Sequence, residues 1–167
     1  MQRLALCVLL AVCLAGPAAA QKSFPSFAAA LNQPAFSSLK TVVNTLGLTG
    51  TLSNAQLKVT VFVPNNNAFA AAQKATGMST AQLTSLKSVM QQVVYYHIVK
   101  EVVRAPLPNK QLQTFVSGKS LQGAGNKVKD AIGQTANIID PNVKCGAGIA
   151  HGVDKVLLFM NMPSSGR

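Results

Sequence analysis

Beginning at Pro34, apolar residues Phe36, Leu39, Val42, Val43 and Leu46 recur every three or four positions, and Gly47 closes the run. The spacing predicts an amphipathic helix with a proline start and a glycine stop. A shorter helical piece is expected before it, over Phe24 to Leu31. The period then falls to two: Leu57, Val59, Val61 and Val63 alternate with other residues, which predicts a strand with one strongly apolar face. Pro64 ends that strand, because it has no N–H to give a ladder. Asn65, Asn66 and Asn67 follow at the start of a helix carried by Phe69 to Ala72 and stopped by Gly77. A side-chain oxygen there can accept from the free N–H groups of the first turn, and Asn66 is the expected cap. A longer helix opens at Ser79, whose spacing to Gln82 has the form of a capping box, and it aligns Leu83, Leu86, Met90, Val93, Val94 and His97 on one face.

After Pro106 and Pro108 the pattern breaks into short segments between glycines and asparagines: Leu112 to Val116, Lys119 to Leu121, Asn126 to Lys129, Ala136 to Ile139 and Val153 to Phe159. These predict short antiparallel strands. Helices first and strands later imply an α+β domain, with the strand at Leu57 to Val63 joining the later sheet.

The N-terminus changes the reading of where the chain works. Met1-Gln2-Arg3, an apolar run from Leu4 to Leu14 and Ala18-x-Ala20 have the form of a secretory signal peptide over residues 1–20. The mature chain is then one domain, 21–167, with its core over about 23–160, and it is expected to be secreted and extracellular. No later stretch approaches the about 20 apolar residues of a membrane span, and no lipid-anchor tail is recognised. Cys7 and Cys13 leave with the signal. The remaining Cys145 is a semi-buried structural residue, a free thiol or one end of an intermolecular disulfide. No N-glycosylation sequon is present.

Charge adds a class of partner. The formal net charge is +11, with Glu101, Asp130, Asp140 and Asp154 as the only acidic residues. The lysines are dispersed; Lys119, Lys127 and Lys129 form the tightest group. Such a surface serves solubility or attraction to an anionic polymer. For an exported chain that polymer is acidic polysaccharide or a matrix component. Nucleic acid is not expected, since there is no tryptophan and no basic stripe interleaved with aromatics.

Catalytic chemistry finds little support. No nucleophile elbow, metalloprotease helix or paired-cysteine metal motif occurs, and Cys145, His97 and Asp154 set no geometry by sequence alone. No enzyme activity, cofactor or metal is expected. His97, on the apolar face near a helix C-terminus, reads as a core residue bonded to backbone, in a place that favours a positive charge.

Three motifs resemble those of the fasciclin (FAS1) domain family. Residues 60–69, TVFVPNNNAF, are similar to its first signature; Tyr96-His97 falls where the family has a Tyr-His pair; and Gly148 to Leu158, GIAHGVDKVLL, is similar to its closing signature. The resemblance covers about residues 23–160 and implies a small antiparallel β-wedge packed with several α-helices. It also implies a role in cell adhesion or in extracellular matrix or cell-wall organisation, through binding of polysaccharide or protein. Thr60, Phe62, Pro64, Asn66, Phe69, Tyr96, His97, His151 and Asp154 are its signature positions, mainly structural, with His151 and Asp154 expected to tie the last strand to the helical layer. Ala150 and Gly152 are smaller than the family's usual residues there, which is expected to loosen packing beside that strand. The other readings are a small-ligand carrier with a cleft near His97 and His151, and a homophilic assembly module bridged through Cys145.

Overall fold

A computed structural model describes residues 21–161; the signal segment expected over 1–20 lies outside them. Strand β1 (Ser23–Phe24) and helix α1 (Phe27–Ala30) lead through a 3-10 turn (Pro34–Phe36) into α2 (Ser37–Thr45) and α3 (Thr49–Leu52). Next come β2 (Thr60–Pro64), α4 (Asn66–Thr76), α5 (Thr80–Ser85), α6 (Lys87–Tyr96) and β3 (Ile98–Val99). The remainder is β4 (Gln111–Gln113), β5 (Ser120–Ala124), β6 (Lys127–Lys129), β7 (Thr135–Cys145) and β8 (Gly148–Val153). Helices precede most of the strands, the α+β arrangement that the sequence pattern implies.

The strands form one sheet in the order β3-β2-β8-β7-β6-β5-β4, with β1 on β7. From β4 to β8 every neighbour is antiparallel, which is the expected wedge. Two pairings are parallel, β2 with β8 and β1 with β7, so the whole sheet is mixed. This position explains why β2 is buried along its whole length rather than on one face. Thr60 is accommodated because its hydroxyl donates to the Glu101 carbonyl at 2.7 Å and accepts from the Val103 N–H at 2.7 Å, so no polar group is stranded. Leu57 to Val59 approach the strand without joining it, and Pro64 is its last residue, opposite Val153.

On one side of this sheet Phe27, Leu39 and Leu52 of the first three helices meet Val61, Ile98 and Ala150 around a void of only about 20 Å³. Packing beside β8 is therefore not loosened by its small residues. At Gly152 the space belongs to Asp140 and to the Phe36 ring, which lie 2.9 Å and 3.5 Å from where a Cβ would stand.

The helix start after Pro64 is built by two asparagines with separate tasks. Asn65 is the cap: its backbone is extended and its side chain accepts from the Ala68 N–H at 2.8 Å. Asn66, the expected cap, is already helical. Its amide reaches across to the start of α2, donating to the Pro34 carbonyl at 2.8 Å and accepting from the Ser38 N–H and the Ser37 hydroxyl. Asn65→Ala should lower stability by about 0.5–2 kcal/mol in urea unfolding, and Asn65→Ser should restore most of it. Asn66→Asp should stay destabilised, because it cannot donate to Pro34. A neutral Asn65→Ala would remove the cap assignment.

Ser79 and Gln82 form the capping box, with both reciprocal bonds present. The long helix expected from Ser79 is split at Leu86, whose ψ of 54° ends α5 and opens α6. No glycine or proline marks the break.

The largest differences from the sequence pattern lie near the C-terminus. β7 continues through Asp140-Pro141-Asn142, a triplet that reads as a turn, by slipping register twice against β8, with Asn142 at φ 58°. The last strand is Gly148–Val153, so the apolar run from Val153 to Phe159 mostly follows it as irregular chain. Its backbone is satisfied by side chains: the Leu157 N–H donates to His97 Nε2 at 3.0 Å and the Leu158 N–H to Asp130 Oδ2 at 3.0 Å.

Candidate functional site: a basic groove across the outer strands

The signature residues face inward and are occupied with one another. Phe62 is fully buried against the His151 ring, with centroids 5.6 Å apart, and Phe69 lies in the core. Tyr96, also fully buried, donates its hydroxyl proton to the Ser120 carbonyl and accepts from the Ala131 N–H, both at 2.9 Å. That links the end of α6 to the β5 hairpin and to the turn after β6. Burial pushes the Tyr96 phenol up to about 12.

His97 is buried and neutral. Its Nδ1–H donates to the Val93 carbonyl at 2.7 Å, while Nε2 accepts from the Leu157 N–H. Burial pushes its pKa down to about 4, with the Val93 carbonyl opposing, so the helix end does not confer the positive charge expected for it. His151 is the opposite tautomer. Nε2–H donates to the Val103 carbonyl at 2.8 Å and Nδ1 accepts from the Asn142 N–H at 3.1 Å; burial lowers its pKa as well. Asp154 accepts from the backbone N–H and side-chain amide of Asn137, both at 2.7 Å. His151 and Asp154 thus tie β8 to β7 and to the loop at Val103, and neither side chain bonds a helix. His97 joins α6 to the segment after β8, and the Asn65 N–H joins the start of α4 to the Val153 carbonyl.

Both imidazoles are occupied by backbone partners, and the void that the His97 side chain itself helps to line holds only about 20 Å³. Cys145 is buried, and burial pushes its thiol up to about 12. A bridge between chains has no sulfur at the surface to use. Cys145, His97 and Asp154 share no hydrogen bond: His97 and Asp154 are held by other residues and the Cys145 thiol is buried. Among the described residues no group of three or more His, Cys, Asp and Glu side chains could hold a metal.

Two residues do more than their sequence context signals. Asp130, 6% exposed, accepts from the N–H groups of Ile132, Gln134 and Leu158. The Asn142 side chain bonds both backbone groups of Ala105. The nearest local cue is the spacing of Asp130 to Gly133, a turn pattern; their long-range partners have none.

One open surface with chemistry to offer is the outer face of β4, β5 and β6. Leu112, Leu121 and Val128 point inward and are fully buried, so by alternation their neighbours point out. Cross-strand register aligns Gln111 with Gln122 and Gln122 with Lys129. With Lys119 and Ser120 these line a groove of about 290 Å³. Asp130 borders it too, but its oxygens are engaged by the three backbone N–H groups. Glu101 and Asp140 are paired to Lys110 and Lys22. Among the described residues, then, Lys119, Lys127 and Lys129 have no carboxylate partner.

An α+β domain with a mixed sheet, cross-braced by these inward-facing residues, defines a fasciclin-type fold. The fasciclin domain model matches residues 34–159, and the chain belongs to the fasciclin domain family. Its structure is similar to that of a FAS1 domain pair from the insect cell adhesion molecule fasciclin I, with a TM-score of 0.69 and 18% sequence identity. The match covers 81% of this chain and 51% of that one, so the chain spans about half the length of that relative. Comparison with curated proteins returns no match. No helix among the described residues is long and apolar enough to cross a membrane.

Proposed function

We propose that this chain is a secreted, adhesion-related module that binds an anionic polysaccharide of the extracellular matrix or cell wall through the groove across β4, β5 and β6. Family membership supports the adhesion-related part, and the similar solved structure is from a cell adhesion molecule. The finer part rests on one observation: Lys119 and Lys129 line an open groove with the amides of Gln111 and Gln122, and the carboxylate that borders it, Asp130, is engaged by backbone N–H groups while Glu101 and Asp140 are paired to other lysines. Ammonium groups attract carboxylates or sulfates along a polymer, while Gln111, Gln122 and Ser120 supply donors and acceptors for hydroxyls.

The test is capture on immobilised polygalacturonate, with dextran as the neutral control, at about 0.01 M and about 1 M salt, where the screening length falls from about 30 Å to about 3 Å. Binding should be strong at low salt, weak at high salt and absent on dextran. Lys119→Glu combined with Lys129→Glu should weaken it about tenfold or more, well beyond the effect of Lys40→Glu with Lys74→Glu on α2 and α4. Equal losses in the two pairs would leave only a diffuse positive surface. Binding that is absent at low salt, or unmoved by high salt, would sink the reading.

A further inference from the structure

The core is tight where α1, α2 and α3 meet the sheet, but an open cavity of about 280 Å³ lies where α4, α5 and α6 face the chain after β8. Along α4 its wall carries Ala68, Ala72 and Ala75, one turn apart, beside Phe69, Ala71 and Thr76, and the short alanine side chains leave space unfilled. Met90 and Leu158 face them, and Met90 is a flexible side chain suited to a variable occupant. At the rim are Lys155 and Gln134. Neither side chain has a hydrogen-bond or ion-pair partner among the described residues. Asp154, next in sequence to Lys155, is held by Asn137, and Asp130 near Gln134 is held by backbone N–H groups.

We propose that this cavity binds a small amphiphilic monocarboxylate: an apolar ring or short chain lies between the helices, and its carboxylate is held at the rim by Lys155 and the Gln134 amide. Charge selects the head group. An ammonium without a counter-ion, on a chain of net charge +11, favours an anion and repels a cation. Size selects the body, since a cavity of about 150 Å³ already takes benzene and this one is nearly twice as large. A few placed polar groups on a mostly apolar wall is the usual composition of a small-ligand site. The cavity shares no lining residue with the basic groove, so the two proposals stand or fall separately; neither imidazole lines it, although Val93, whose carbonyl accepts from His97, does.

Isothermal titration of the folded chain with decanoate, its neutral analogue decanol, and acetate tests the site. Decanoate should bind at one per chain, decanol about tenfold more weakly, and acetate not at all. Lys155→Met, an exposed change, should bring decanoate down to the level of decanol. Ala72→Phe should abolish both while leaving the unfolding midpoint close to that of the parent; should it not fold, Ala75→Leu narrows the cavity from a more exposed position. The groove variant Lys129→Glu should leave decanoate binding unchanged. No saturable heat with decanoate, full decanoate affinity in Lys155→Met, or full binding with the cavity narrowed would each overturn the proposal.

Discussion

Lowering the pH from 7 to 4 should remove about 3 kcal/mol of folding stability through His97 alone, with His151 adding to the loss in the same direction. In the folded chain Nε2 of His97 accepts from the Leu157 N–H, so a proton placed there destroys a bond and sets two donors against each other. The ring is also 5% exposed, and water cannot solvate the charge. Its folded pKa is about 4 against an ordinary value of 6.5. Between those values the unfolded chain takes up a proton that the folded chain refuses. Stability is therefore fully present above pH 6.5, declines as pH falls, and the His97 loss is complete below about 4. For a domain held by about 5–15 kcal/mol in total, that loss is large. Urea midpoints measured in steps from pH 7.5 to pH 4 should fall steadily, and the slope should flatten in His97→Gln. A stability profile level across this window would mean that the two imidazoles are already solvated in the folded state.

What could be read ahead of the structure follows from how local each cause is. The helix over α2 and the capping box at Ser79 depend on residues within one or two turns of themselves and follow from spacing, whereas spacing places the strand at Thr60 but starts it at Leu57, three residues before its pairing begins. Asn65 and Asn66 show the limit: both suit a helix start, and only the approach of Pro34 and Ser38 decides which is left free to cap. The run from Val153 to Phe159 is apolar enough for a strand because it is buried, yet its N–H groups are satisfied by His97 and Asp130, partners 60 and 28 residues away. Likewise Asp140-Pro141-Asn142 has turn chemistry, but pairing with β8 carries the strand through it. For the candidate groove, the grouping of Lys119, Lys127 and Lys129 was visible along the chain; the row of Gln111, Gln122 and Lys129 exists only through strand register. The alanines of α4 read as helix body, and that they face a cavity depends on α6 and on the segment after β8.

Gly148→Ala should cost about 3 kcal/mol or more, the upper range for forcing atoms into a filled site. This glycine opens the closing signature and begins β8. A Cβ there would stand 2.6 Å from the Val59 carbonyl oxygen, 2.7 Å from that of Leu57 and 2.5 Å from Cζ of Phe27. Phe27 can rotate, but the two carbonyls belong to the chain leading into β2. Val59 also accepts from the Ile149 N–H at 3.0 Å, so moving it aside breaks a bond at the start of the parallel pairing between β2 and β8. The contrast is Gly47, which has a φ of +71° with nothing within 4 Å of where a Cβ would stand. Gly47→Ala meets only the left-handed backbone penalty, about 1–2 kcal/mol. Chemical unfolding of both variants separates close approach from conformational strain, and combining Gly148→Ala with Phe27→Leu separates ring from backbone. Partial recovery at most is expected, since the carbonyls stay where they are; full recovery would assign the constraint to the Phe27 ring, and a Gly148→Ala midpoint equal to that of the parent would show that the β2 approach yields without cost.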